Sequence, residues 1–178
     1  MYQTIYHWAS SHFCPVSIGI VLFLILLEAA GIHKKPGKAS AILWPCAFLG
    51  YLSAVLFLTL GSRTRIEQRH LNLKIHWEAI RMAFQGKGSL PWEDLANIIL
   101  FLPLGVFFQE ALGKNWFCCC LLGAAFSACI ELAQWKLRCG YCDINDFLCN
   151  MIGTVVGYFF SGAVIRAQEA ADRKQRSS

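Results

Sequence analysis

Apolar residues fall into five long runs, at 15–32, 40–60, 95–111, 116–135 and 146–165. A helix needs roughly 20 predominantly apolar residues to cross the hydrocarbon of a bilayer, and each run is near that length. The pattern predicts an all-α fold, a polytopic transmembrane helical bundle of about five spans. A single domain would cover 15–165, with a flank at 1–14 and a polar tail at 166–178. The flank has no Lys or Arg, so it lacks the basic front end of a signal peptide, and the first run reads as a retained span. Glu28 lies near that run's end, where the interfacial region accommodates an acid; an inward-facing functional acid is the alternative.

Lys34, Lys35 and Lys38, around Pro36 and Gly37, make a tight basic turn into the second run. That run reads as uninterrupted, with Trp44 and Tyr51 as interfacial anchors. The connection 61–94 is too polar to span. Its middle mixes Leu71, Ile75, Trp77, Ile80, Met82 and Phe84 with basic residues, which predicts a short helix along the interface between spans two and three. Gly86, Gly88 and Pro91 end it.

The third run starts at Asn97, whose face continues through Phe101 and Gly105, and Pro103 predicts a kink near Ile99. Asn97 reads either as interhelical glue or as a site residue. In the fourth run Ser127, Glu131, Gln134 and Arg138 share one helical face. A salt bridge between Glu131 and Arg138 is the simplest account of an acid there, because an isolated one is costly in lipid. In the last run Asp143, Asp146, Asn150, Gly153 and Gly157 recur at spacings of three and four, one stripe of a helix. Its glycine pair allows a second helix to approach backbone to backbone, the arrangement that drives helix association in lipid. The tail AQEAADRKQRSS reads as disordered.

Composition agrees with a membrane protein: 56% of the 178 residues are hydrophobic, 15% are charged and the mean hydropathy is +0.46. A typical soluble domain is about 25% charged. The net charge of +5 is scattered over the connections without a nucleic-acid motif, so the expected neighbour is the lipid bilayer rather than nucleic acid. Nine cysteines include the consecutive Cys118, Cys119 and Cys120 inside an apolar run, which marks them as small hydrophobes. Cys139 and Cys142 form a C-x-x-C without a second ligand pair or a thioredoxin-like pattern. No metal and no cofactor is therefore expected, while a surface disulfide in that loop stays open.

Eight basic residues fall on each side of a five-span bundle. The first span decides the expected orientation, since its front flank has no basic residue and its rear flank has three. This places the amino terminus and the polar cluster outside the cell and the carboxyl terminus in the cytoplasm.

The candidate site residues are Asn97, Glu131, Gln134, Arg138, Asp143, Asp146 and Asn150. Arg63, Arg65, Arg69 and Asn72 are secondary candidates; the arginines are either ordinary charge flanking a span or a site for an anionic group such as a lipid phosphate. Pro103, Gly105, Gly153 and Gly157 are assigned to helix packing. No HExxH, nucleophile elbow or P-loop is present.

Three segments, NIILFLPLG at 97–105, ELAQ at 131–134 and DINDFLCNMIGTVVGY at 143–158, resemble the VanZ-like family in order and spacing. The resemblance covers roughly 94–165, and more weakly the segment RHLNL at 69–73. It implies a small polytopic bacterial membrane protein of a kind linked to low-level resistance to the glycopeptide teicoplanin, without implying a known reaction. The family pattern falls on Asn97, Pro103, Gly105, Glu131, Gln134, Arg138, Asp143, Asp146, Asn150, Gly153 and Gly157. Two positions depart from it. Here CGYC separates Arg138 from Asp143, where the family places an arginine closer, and Ile75-His76 stands where a Pro-Phe pair is common.

The expected function is a noncatalytic cell-envelope factor acting on a lipoglycopeptide antibiotic or on the lipid-linked cell-wall precursor. The alternative is a membrane enzyme that uses Glu131, Asp143 or Asp146 as general base or metal ligand on a lipid phosphate or lipid-linked substrate. A small transporter or structural bundle is a further alternative, although no paired repeat is present.

Overall fold

A computed structural model describes residues 38–61, 66–67, 71–75, 77, 81, 85, 92–113 and 115–177. The first expected span, with Glu28, lies outside the described residues. So do Arg63, Arg65 and Arg69. The described chain is mostly helical: α1 covers Lys38–Leu56, α2 Trp92–Leu112, α3 Trp116–Leu137 and α4 Ile144–Arg176. Four stretches, Ile42–Gly61, Glu93–Leu112, Trp116–Leu137 and Ile144–Arg176, are long and apolar enough to cross a membrane. They coincide with the second to fifth expected spans.

The second span differs from expectation in two ways. Pro45 lies inside α1, and after Leu56 the chain widens into a π-helical turn, Phe57–Gly61. Tyr51 is also no interfacial anchor. It is buried in the core with Val55, Leu58, Leu100, Phe101, Leu104, Phe107 and Ile130, and its hydroxyl donates to the Leu100 carbonyl at 3.0 Å. A phenol inside an apolar bundle needs an acceptor, and this one lies in α2, three residues before Pro103. Trp44 and Phe48 pack on Phe107, with ring centroids 5.0 Å away in each case.

Helix ends follow local chemistry. Asn115 opens α3 by accepting from Cys118 N, and Asp143 opens α4 by accepting from Asn145 N. Glu93 and Asp94 occupy the first turn of α2, where the helix dipole favours acids. Arg138 ends α3 in the left-handed conformation (φ 58°), a place usually held by glycine. Cys139 N then donates to Gln134 O at 3.0 Å and Arg138 N to Trp135 O at 3.4 Å, the paired closure of a Schellman turn.

The glycine stripe forms the tightest joint in the bundle. A Cβ on Gly153 would collide with the Ile98 carbonyl, one on Gly157 with the Leu102 carbonyl, and one on Gly105 with the Thr154 carbonyl. α2 and α4 therefore meet backbone to backbone over about two turns, with small residues contributed by both helices. At the far end of this joint the Tyr158 hydroxyl donates to the Gly113 carbonyl.

The tail also departs from the sequence reading. α4 continues unbroken through residues 166–176. Ala, Gln, Glu, Arg and Lys are strong helix formers, Arg173 reaches Glu169 one turn back at 3.8 Å, and three basic residues occupy the last turn, where the dipole favours them.

The long connection contains an extended piece where a helix was expected. Leu71–Asn72 (β1) pairs in parallel with Cys142–Asp143 (β2), with Leu71 opposite Cys142 and Asn72 opposite Asp143. Beyond it Trp77 and Arg81 are helical, and the rest of the expected interfacial helix falls largely outside the described residues.

Candidate functional site

The start of α2, the end of α3, the start of α4 and the strand pair meet at one end of the bundle. Asp143 stands at their centre because its position just before α4 leaves both its backbone and its carboxylate free of the helix. Its N–H donates to Glu131 Oε2 at 2.9 Å. Its Oδ2 accepts from Asn72 Nδ2 at 2.8 Å, and its Oδ1 accepts from Asn145 N at 2.8 Å and Asn145 Nδ2 at 2.7 Å. Asn145 Nδ2 also reaches the Lys74 carbonyl at 2.8 Å, and Lys74 N donates to Asn72 Oδ1 at 3.2 Å. Residues 71–75 are thus stitched to the start of α4 through Asn72 and the Lys74 carbonyl.

One turn along α4, Asp146 Oδ1 accepts from Asn97 Nδ2 of α2 at 2.7 Å. Deeper in the bundle, Asn150 Nδ2 donates to Ser127 Oγ at 2.9 Å, which joins α4 to α3. Gln134 Nε2 donates to the Thr59 carbonyl in the π-helical turn at 3.1 Å, which joins α3 to the end of α1. The carbonyl is available there because a π turn shifts the ladder of backbone bonds. Gln134 Oε1 and Asn150 Oδ1 are buried and have no hydrogen-bond partner among the described residues. Both are acceptors, so the deep layer is rich in electron-pair donors.

The structure thus gathers Asn72, Asn97, Glu131, Asp143 and Asp146 at the mouth and places Gln134 and Asn150 behind them. Arg138 stands apart. Glu131 is only 4% exposed, whereas the Arg138 side chain is exposed beyond the helix end, and the left-handed turn takes it off the face that carries Ser127, Glu131 and Gln134. Its carbonyl accepts from Ile66 N at 2.6 Å, a second tie between the long connection and this end of the bundle.

Several participants escaped the sequence reading. Asn145 lies off the helical stripe because Asp143 precedes the helix, so the stripe's spacing does not extend to it. The local sequence Asp-x-Asn at a helix start is the signal for such a cap. Asp94 is buried at the mouth rather than solvated in the connection; its spacing of three from Asn97 places the two on one face of α2. Ser127 and the Thr59 carbonyl complete the deeper contacts.

Among the described residues no group of three His, Cys, Asp or Glu side chains is placed to hold a metal ion, and every cysteine is a free thiol, including Cys139 and Cys142. The Cys142 thiol is pushed above its ordinary range, first by burial and then by the negative charges of Glu131 and Asp143. It is therefore a poor thiolate at neutral pH.

A family model described as VanZ/LLP1 matches residues 41–165. The chain belongs to the VanZ/LLP1 family. No curated protein and no solved structure matches it. The match begins inside α1 and ends within α4, so it takes in every described helix, the strand pair and the whole polar cluster. This member of the family is a multi-pass membrane protein by the four long apolar helices within that stretch. The resemblance seen in the sequence over 94–165 thus widens to include α1, which supplies Tyr51, and the π-helical turn after it, which supplies Thr59.

Proposed function

We propose that this VanZ/LLP1 protein is a noncatalytic factor of the cell envelope that lowers susceptibility to a glycopeptide such as teicoplanin. In this reading the polar cluster faces outward and engages the lipoglycopeptide or the lipid-linked cell-wall precursor. The carboxyl end of α4 lies in the cytoplasm. The orientation is supported by the three lysines that follow the first expected span and the absence of basic residues before it.

One observation carries the noncatalytic reading. Glu131, Asp143 and Asp146 each accept a hydrogen bond from a neutral amide or backbone N–H of another segment, at 2.7–2.9 Å. Carboxylates held this way fix the relative positions of α2, α3, α4 and the long connection, and such charge-assisted bonds are stronger than neutral ones. They shape a surface at the membrane face.

The test is susceptibility to teicoplanin in cells expressing wild type, Asp146→Asn or Glu131→Gln at equal membrane levels, with a topology reporter in the long connection. Wild-type susceptibility in both variants, or a cytoplasmic reporter, would sink the proposal.

A membrane enzyme on a lipid-linked substrate is the second reading. Its support is that the Asp143 N–H donates to Glu131, which brings two carboxyl groups to one place, as acid–base chemistry requires. Purified protein that leaves lipid-linked cell-wall precursor unchanged, with and without divalent metal, counts against it.

A further inference from the structure

The segment LNLKIHW at 71–77 alternates strictly, with apolar residues at 71, 73, 75 and 77 and polar ones at 72, 74 and 76. Leu71–Asn72 is extended, so these two side chains point to opposite faces. The Asn72 side chain turns inward to Asp143, and the Lys74 backbone carbonyl accepts from Asn145 while Lys74 itself is exposed. The apolar side is bare: Leu71 is 60% exposed, Leu73 65%, Ile75 45% and Trp77 69%. A row of large apolar side chains open to water is unusual on a protein surface and marks a contact with something apolar.

The position of the row identifies that partner. β1 pairs with β2, which leads directly into α4 and follows the end of α3, so the row lies level with the ends of two spans. Trp135, Leu137 and Tyr141, all exposed, lie around that end of α3 and extend the lipid-facing belt of the helices toward it. Trp and Tyr at such a level fit the boundary between acyl chains and head groups. A second copy of the chain is the weaker fit, since β1 offers an edge of two residues and strand addition needs a longer one.

We propose that residues 71–75, with Trp77, are a membrane-inserted lip. Leu71, Leu73, Ile75 and Trp77 sit in the adjacent leaflet, and Asn72 and the Lys74 carbonyl hold the acid cluster at head-group depth. The partner is the lipid bilayer, contacted by part of the connection between two spans. This lip does not depend on whether the cluster governs antibiotic susceptibility.

The test places one environment-sensitive fluorescent amino acid at a time at positions 71, 73, 74, 75 and 77 of the full chain, reconstituted in phosphatidylcholine and phosphatidylglycerol vesicles. A probe at Ile42, exposed on the apolar span of α1, gives the lipid reference, and one at Glu169, exposed in the charged part of α4, gives the water reference. Blue-shifted emission and quenching by nitroxide lipids at 71, 73, 75 and 77, with iodide quenching at 74, is the expected profile. A flat profile, or iodide quenching at all five positions, overturns the lip. Probes at 71 and 73 that quench one another as the protein-to-lipid ratio rises would assign the face to a second copy instead.

Discussion

Asn72 and Asp143 are 71 residues apart in the chain and meet twice, as register partners in the parallel strand pair and through the bond from Asn72 Nδ2 to Asp143 Oδ2 at 2.8 Å. The contact closes the long connection onto the helix that follows it by two spans. A backbone pairing of two residues is too short to hold alone, so the side-chain bond and the Asn145 bridge beside it decide whether the connection stays docked.

A double-mutant cycle measures that closure. Asn72→Ala and Asp143→Ala should each destabilise the protein by about 1–3 kcal/mol in detergent unfolding, with Asp143→Ala the larger because it also removes a helix cap. The double variant should lose less than the sum, by about 0.5–2 kcal/mol. Strict additivity would mean that the two side chains act independently.

The joint between α2 and α4 predicts an asymmetry among glycines. Gly153→Ala and Gly157→Ala must push apart two backbones, which costs at least the 1–3 kcal/mol or so typical of overpacking, and should lower the thermal midpoint sharply. Gly50, in α1, has no atom within 4 Å of an added Cβ. Gly50→Ala should be neutral or stabilise by up to about 1 kcal/mol, since alanine favours the helix. Equal effects at Gly50 and Gly153 would contradict the close approach.

Arg138 permits a separation of fold from chemistry. A non-glycine residue in the left-handed region costs roughly 1–2 kcal/mol, so Arg138→Gly relieves strain while deleting the guanidinium. The variant should unfold at the same temperature as wild type or higher. If the guanidinium contributes to the proposed function, teicoplanin susceptibility rises in this stable variant. A drop in its unfolding temperature would show that the arginine side chain holds the turn.

Cys142 provides a pH-dependent readout. Burial, Glu131 and Asp143 all disfavour its thiolate, which holds the folded thiol protonated to higher pH than an ordinary cysteine. Alkylation by a water-soluble reagent, followed by peptide mapping at Cys142, should therefore rise only above the ordinary thiol range. Because the folded pKa exceeds the unfolded one, the accompanying stability is present at neutral pH and is lost as pH climbs through that window. Glu131→Gln removes one opposing charge and should move the profile to lower pH. An unchanged profile would mean that the Glu131 charge does not reach the thiol.

The second to fifth spans were legible in the sequence because unbroken apolar runs encode little else, and the glycine stripe because residues three and four apart share a helix face. The stripe's first member was harder to read: Asp143 follows the helical spacing but precedes the helix, which hides Asn145. The stretch 71–75, extended at Leu71–Asn72 rather than helical, departs from the sequence reading for a different reason. Its apolar residues alternate at a period of two, but read over the wider stretch 71–84 they resemble one side of a helix. Tyr51 reads as an anchor in the sequence because aromatic residues at a span's edge and in a core look alike until the acceptor is known. Exposure of Arg138 was invisible as well, since only the left-handed turn removes it from the face that its spacing implies.

The length of α4 has a mechanical meaning. Its 33 residues form one rod of about 50 Å, against a hydrocarbon thickness of about 30 Å. Asp143 caps one end, and Arg173, Lys174 and Arg176 stand at the other, beyond the bilayer core. Because α4 is wedged against α2 by glycines that leave no slack, a tilt or twist applied at the charged end travels along a stiff shaft to the carboxylate that fastens the long connection.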